Sequence, residues 1–260
     1  MHRLAAFLFC VFIHISCTAQ SPDELNKQSK ELLGKEDFTN AVPLLKKAAE
    51  GGNAEAQYNY GYCYQEGKGV TLDLKTANKW YMKAAKQGWI DAEFKLAYSY
   101  ASGRGYEQDY KQAFYWAMQC ALQNDPECMY NIATCYQQGL GTSQNTDSML
   151  FWVIHIGSLP DIENLQQSAN ITAARLNLAI MYRDGDKIKK DLQKSYMWFL
   201  IYNESKRDYS FQEQLSHIDE IKALEKELTQ ADKEKIKQEA EMQLGRKLKN
   251  VDKLYTADIE

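Results

Sequence analysis

The chain has 260 residues, 25% of them charged and 45% in the hydrophobic set, the balance of an ordinary folded, water-soluble protein. Its formal net charge is −4 and no Lys/Arg block exceeds a few residues, which argues against a basic stripe for nucleic acid. Beyond Ala19 no run approaches the roughly 18 consecutive apolar residues that a membrane span needs, so no later segment is expected to cross a bilayer.

Met1 to Ala19 reads as a secretory signal peptide. Arg3 stands near the start, the apolar run Leu4 to Ile15 follows, and Ser16-Cys17-Thr18-Ala19 supplies small residues for cleavage. Cleavage after Ala19 leaves Gln20 as the new end. The rival reading is a lipoprotein anchored through Cys17, against which stands His14, unlike the aliphatic residue such sites prefer. The mature chain is therefore expected to be exported, periplasmic or secreted. Residues 20–53 read as a degenerate first hairpin, with Leu25, Leu32 and Leu33 on one helix and Asp37, Ala41, Leu44, Lys47 and Ala48 on the next.

From Ala54 onward the chain repeats itself at a spacing of 36: Tyr64, Tyr100 and Tyr136; Gly67, Gly103 and Gly139; Trp80, Trp116 and Trp152. A fourth copy, with Tyr182, Gly185 and Trp198, is displaced by ten further residues. In the first unit Ala56, Tyr60, Gly61 and Tyr64 share one helical face, Gly67-Lys68-Gly69 stops that helix, and Asp73 is the expected N-cap of the next. The second helix carries Ala77, Trp80, Tyr81, Ala84 and Ala85 as an apolar stripe and ends at Gly88. Two short helices cannot bury both faces alone, so the units must stack. Gly61, Ala97, Ala133 and Ala179 align as the small positions where helices approach closely. The repeats are placed at 54–89, 90–125, 126–157 and 168–204. The insertion, placed at 158–168 with Pro160 at its start, displaces the fourth copy by ten residues, shows no cluster of titratable groups, and reads as tolerated length. Residues 205–260 read as capping helices and a tail, with one helix from Ser210 to Leu228 and a capping box, Thr229 with Asp232, opening another.

This pattern, Ala56…Tyr60-Gly61…Tyr64…Gly67-x-Gly69…Asp73…Ala77…Trp80-Tyr81…Ala84-Ala85…Gly88, resembles the Sel-1-like repeat, a relative of the tetratricopeptide repeat. The third copy departs from it at Thr142 and Asn145, and the fourth at Lys187, where the second loop glycine is missing. The first hairpin lacks the glycine loop and is nearer a tetratricopeptide unit. The resemblance implies an all-α fold, a right-handed α/α superhelical solenoid of about six hairpins, acting as a scaffold or adaptor that binds proteins or peptides, with no shared catalytic residue. Cys120 closes one helix and Cys128 opens the next across Asn124-Asp125-Pro126, within bridging reach. Secreted members of the family use a similar spacing for disulfides. A Cys120–Cys128 bridge is expected, with Cys135 as the alternative partner of Cys128, and Cys63 and Cys135 are otherwise read as buried free thiols. No histidine lies near these cysteines, so no metal site is expected.

Little points to catalysis. After the leader only His155 and His217 remain, on different helices, and there is no phosphate loop or Gly-x-Ser-x-Gly elbow. The paired loop glycines read as turn glycines. Some secreted relatives carry a β-lactamase label, but neither Ser-x-x-Lys nor Lys-Thr-Gly occurs here. No cofactor is expected. Recognition is placed on the first helices, where Asn59, Lys95, Asn131 and Asn177 recur as polar positions one residue before the core, with Tyr62 and Tyr98 three residues on. The competing reading has these asparagines bonding between neighbouring repeats and the tyrosines half-buried. The functional expectation is an exported scaffold binding a protein or extended peptide on its concave face. The alternatives are a cell-envelope hydrolase, β-lactamase-like or peptidoglycan-active, and a secreted effector or inhibitor of a foreign protein. Asn170 and Asn203 begin Asn-x-Ser/Thr triplets.

Overall fold

The structure is a computed structural model that describes residues 20–161, 164–205 and 212–251. The leader reading of Met1 to Ala19, the lipidation reading of Cys17 and the tail lie outside the described residues. Among the described residues twelve helices follow one another: α1 (Pro22–Leu33), α2 (Phe38–Glu50), α3 (Ala54–Glu66), α4 (Leu74–Ala85), α5 (Ile90–Ser102), α6 (Tyr110–Ala121), α7 (Pro126–Gln138), α8 (Thr146–Ser158), α9 (Leu165–Asp184), α10 (Leu192–Glu204), α11 (Gln212–Lys226) and α12 (Gln230–Leu244). No strand occurs among the described residues. Through α10 the two helices of each hairpin pack on each other and the second packs on the first helix of the next hairpin, while α11 and α12 both pack on α10. The result is an all-α solenoid.

Local chemistry sets the helix ends. Asn53, Asp73, Asp109, Asp125, Asn145 and Asp191 each accept a backbone N–H of the first helical turn, satisfying donors that have no partner within the helix. Gly67, Gly103 and Gly139 close α3, α5 and α7 in the left-handed conformation, at φ 68°, 72° and 74°. The capping box at Thr229 and Asp232 is present.

The second loop glycine does more than turn the chain. A Cβ on Gly105 would lie 2.7 Å from the Leu74 carbonyl oxygen, at the first turn of α4 one repeat back. Gly69 stands in the same way against Phe38 of α2, and Gly141 against Tyr110 of α6. These positions therefore need both a positive φ and the absence of a side chain. Lys187 holds the equivalent place in the fourth repeat at φ 62°.

Burial follows the apolar stripes. Ala77, Tyr81, Leu96, Trp116, Ile132 and Trp152 belong to a central core, and Tyr182, Trp198, Phe199 and Ile221 to a C-terminal one. Trp80 is only half-buried, packed 5.1 Å from Tyr60 with the Lys83 ammonium 3.7 Å over its ring.

The insertion corrects the expectation of tolerated length. α9 begins at Leu165 and runs 20 residues, against 13 for α3, α5 and α7. Arg175 on it is wholly buried and donates to Gly157 O at 2.9 Å, Leu159 O at 2.7 Å and Asp161 Oδ1 at 2.6 Å, and also to the Ser205 hydroxyl. Asp161 also takes Arg246 at 3.1 Å, and Arg246 reaches Glu204 at 2.8 Å. Glu204 in turn accepts the backbone N–H groups of Lys249 and Asn250. Burial works to raise the Asp161 carboxyl, but the bonds and charges of Arg175 and then Arg246 outweigh it and hold the group below its usual range. The insertion is thus pinned to the C-terminal cap by ions.

Two outcomes follow for stability. Gly105→Ala should lose at least about 2 kcal/mol in denaturant unfolding, while Lys187→Gly should gain about 1 kcal/mol; a harmless alanine at Gly105 would contradict the packing role. Arg175→Met, which leaves Asp161 with Arg246 alone and strips the Gly157 and Leu159 carbonyls of a buried donor, should cost about 3 kcal/mol, and a loss below about 1 kcal/mol would show the network to be ornamental.

Candidate functional site

Polar groups join successive repeats at fixed places. Gln87 Nε2 donates to Gly52 O at 3.0 Å and to Gln57 Oε1 at 2.8 Å. One period later Gln123 Nε2 donates to Gly88 O at 3.2 Å and to Glu93 Oε2 at 2.8 Å. Asn78, itself buried, donates to Arg104 O at 2.9 Å and accepts from the Ser99 hydroxyl at 2.9 Å. At the next junction His155 Nε2 meets Asn124 Oδ1 at 3.1 Å. The inter-repeat bonding anticipated for Asn59, Asn131 and Asn177 is done by these residues instead, and the three asparagines make no side-chain hydrogen bond among the described residues. The recurrence of glutamine at 87 and 123, one period apart, is the sequence signal of these bonds.

Lys95, Tyr98 and Asn131 converge. They line one hollow of about 500 Å³ between α5 and α7, floored by Ala113 and Ala117 of α6. Tyr98 is 51% exposed, and Lys95 and Asn131 are half-buried. Asn177 lies farther along, in a hollow of about 260 Å³ between α7 and α9. Asn59 and Tyr62 join neither lining; Tyr62 is half-buried under the Lys68 ammonium, 5.2 Å from its ring.

The rim carries mixed charge. Burial first, then the charge of Asp125, pushes the Asp91 and Glu127 carboxyls up, and Lys95 pulls both back down. On α3, desolvation pushes the half-buried Tyr58 up to about 12 and the buried Cys63 up to about 11. Cys135, free and half-buried in the lining of the larger hollow, is pushed up for the same reason. Thiols so held are poor nucleophiles.

Cys120 and Cys128 form a disulfide with Cα atoms 5.7 Å apart, tying the end of α6 to the start of α7. Cys135 is therefore not the partner of Cys128, and it is half-exposed rather than buried. With their sulfurs joined, the Cys120–Asp125–Cys128 grouping offers a cation a single carboxylate. His155 and His217 stand on α8 and α11, apart from the hollows.

The Sel1 repeat pattern matches residues 32–53, 54–89, 90–125, 126–148 and 172–201, more than half of the chain. The chain belongs to the Sel1 repeat family. The match takes in the α2 hairpin as a further repeat and leaves the insertion outside. A solved Sel1 repeat protein from Oxalobacter formigenes is 26% identical, with a TM-score of 0.61 over 75% of this chain and 74% of that one. A protective antigen of uropathogenic Escherichia coli strains that displays an SLR fold is 18% identical, with a TM-score of 0.46 over 92% of this chain and 79% of that one. No curated protein matches.

Within this Sel1 repeat ladder, Glu93 replaces the Gln57 of the preceding unit. Burial raises its carboxyl, opposed by the hydrogen bond from Gln123. A raised folded value means the fold keeps the proton longer than the unfolded chain does. That contribution is complete at acid pH and is lost as pH rises above the ordinary glutamate value of about 4.3. Glu93→Gln keeps the acceptor for Gln123 and removes the charge. Calorimetry should show the variant melting above wild type at neutral pH, with the gap closing below about pH 4; a gap independent of pH would contradict the assignment.

Proposed function

We propose that this Sel1 repeat chain is an exported scaffold that takes a partner protein or an extended peptide on the inner face formed by its first helices. One observation carries the reading: Lys95, Tyr98 and Asn131, from successive repeats, face a common hollow of about 500 Å³, within the range of ligand pockets. Asn131 makes no side-chain hydrogen bond among the described residues, which leaves its amide available to a main chain as both donor and acceptor. Membership of a family of protein-binding repeats supports the same conclusion. Export is supported by the Cys120–Cys128 disulfide and by the leader-like Met1 to Ala19. No described helix is long and apolar enough to cross a membrane. Burial pushes the Cys63 and Cys135 thiols up, which disfavours these two as nucleophiles.

The test is affinity capture from the native envelope fraction, with wild type beside Lys95→Ala/Tyr98→Ala/Asn131→Ala. A partner recovered by wild type and lost at least tenfold by the variant is the expected result. The same partners with both proteins, or hydrolysis of peptidoglycan or a β-lactam by the purified chain, would overturn the reading.

A further inference from the structure

The first Sel1 unit contains a template for what the second lacks. Tyr81 of α4 is 1% exposed. Its ring fills the space beside Gly61, where an added Cβ would meet Cε1 at 2.8 Å. The ring lies 5.6 Å from that of Tyr58, and its hydroxyl donates to Gln65 Oε1 at 3.0 Å. One period later the same positions hold Ala117 for Tyr81, Ala97 for Gly61, Phe94 for Tyr58 and Ala101 for Gln65. All four line the hollow of about 500 Å³. The hollow lies at the register that Tyr81 fills in the first unit.

The remaining repeats grade the effect. In the third, Val153 and Met149 stand where Ala117 and Ala113 stand in the second, and the corresponding hollow shrinks to about 260 Å³. In the fourth, Phe199 takes the position and is fully buried. The hollow is larger where both positions hold alanine than where they hold methionine and valine.

We infer that the hollow between α5 and α7 is an anchor pocket for one aromatic side chain of the bound partner, an inference that rests on the inner-face reading above. The ring of the ligand enters from the mouth and takes the volume that Tyr81 fills from within in the first repeat. Phe94 receives it as Tyr58 receives Tyr81, with the offset or tilted geometry that aromatic pairs prefer. Ala97, Ala113 and Ala117 form the apolar floor, and Lys95, Glu127 and Asn131 at the rim meet the main chain on either side of the anchor. Buried aromatic anchors ringed by polar contacts are where binding energy concentrates at interfaces.

The probe is 4-methylphenol, the tyrosine side chain alone, titrated into methyl-labelled protein and followed by NMR. Saturable shifts at the Ala113 and Ala117 methyl groups are expected, with a Kd on the order of 1 mM for so small a ligand. Ala97→Gly/Ala101→Gln/Ala117→Tyr copies the first repeat into the second and should weaken binding at least tenfold. Ala117→Val, which copies the third repeat, should fold whatever the fate of the triple variant and should weaken binding by a smaller factor. Absence of shifts in wild type, shifts confined to other methyl groups, or equal binding by Ala117→Val and the filled variant would overturn the pocket. A captured partner lost with Lys95→Ala/Tyr98→Ala/Asn131→Ala but kept by the filled variant would overturn the anchor and leave the scaffold standing. Binding of 4-methylphenol that is abolished by filling, with no partner captured, would sink the scaffold and leave the ring pocket.

Discussion

Gly69, Gly105 and Gly141 each press bare backbone against the opening turn of the second helix one repeat back, and this approach sets the distance between neighbouring units. The rest of the stack depends on that distance. It lets Gln87 and Gln123 each reach a backbone carbonyl of the preceding repeat, Gly52 O and Gly88 O, and it brings Asn78 under the Arg104 carbonyl. A side chain at the glycine would push the units apart at one edge and open the polar ladder to water. Where the glycine gives way to Lys187, that lysine lines two hollows.

What was legible in the sequence was whatever recurs. Helix ends could be read because Asp73, Asp109 and Asp191 cap by their own side chains, and Gly67, Gly103 and Gly139 adopt a conformation other residues avoid. The same periodicity found Lys95, Tyr98 and Asn131. It did not separate them from Asn59 and Tyr62, because the difference lies on the facing helix, where Tyr81 fills one unit and Ala117 leaves the next open. A recurring surface position says where a site can be; the non-recurring partner beneath it says where one is.

The ionic fastening at the C-terminal end was illegible for the opposite reason. Arg175, Asp161, Glu204 and Arg246 come together from segments up to 85 residues apart, and the insertion that brings Asp161 in breaks the period. No local rule joins them. The fastening also bears on Asn203, which is 1% exposed and bonded to Asn250 O at 3.2 Å, so the folded protein withholds that Asn-x-Ser triplet from a modifying enzyme. Core organisation agrees with this division of the chain: Ala174 belongs to the central cluster and Leu178, one turn on, to the C-terminal one, so α9 is shared between a periodic stack and an ion-pinned cap.

If the stack is held by nearest-neighbour contacts, damage at one glycine should stay near it. Native-state hydrogen exchange on Gly141→Ala, whose new Cβ would collide with the Tyr110 carbonyl of the preceding repeat, tests this most directly. The account predicts lost protection in α5 through α8, on both sides of that junction, with α1, α2, α10 and α12 close to wild type. Uniform loss along the whole chain, or no loss at all, would contradict it.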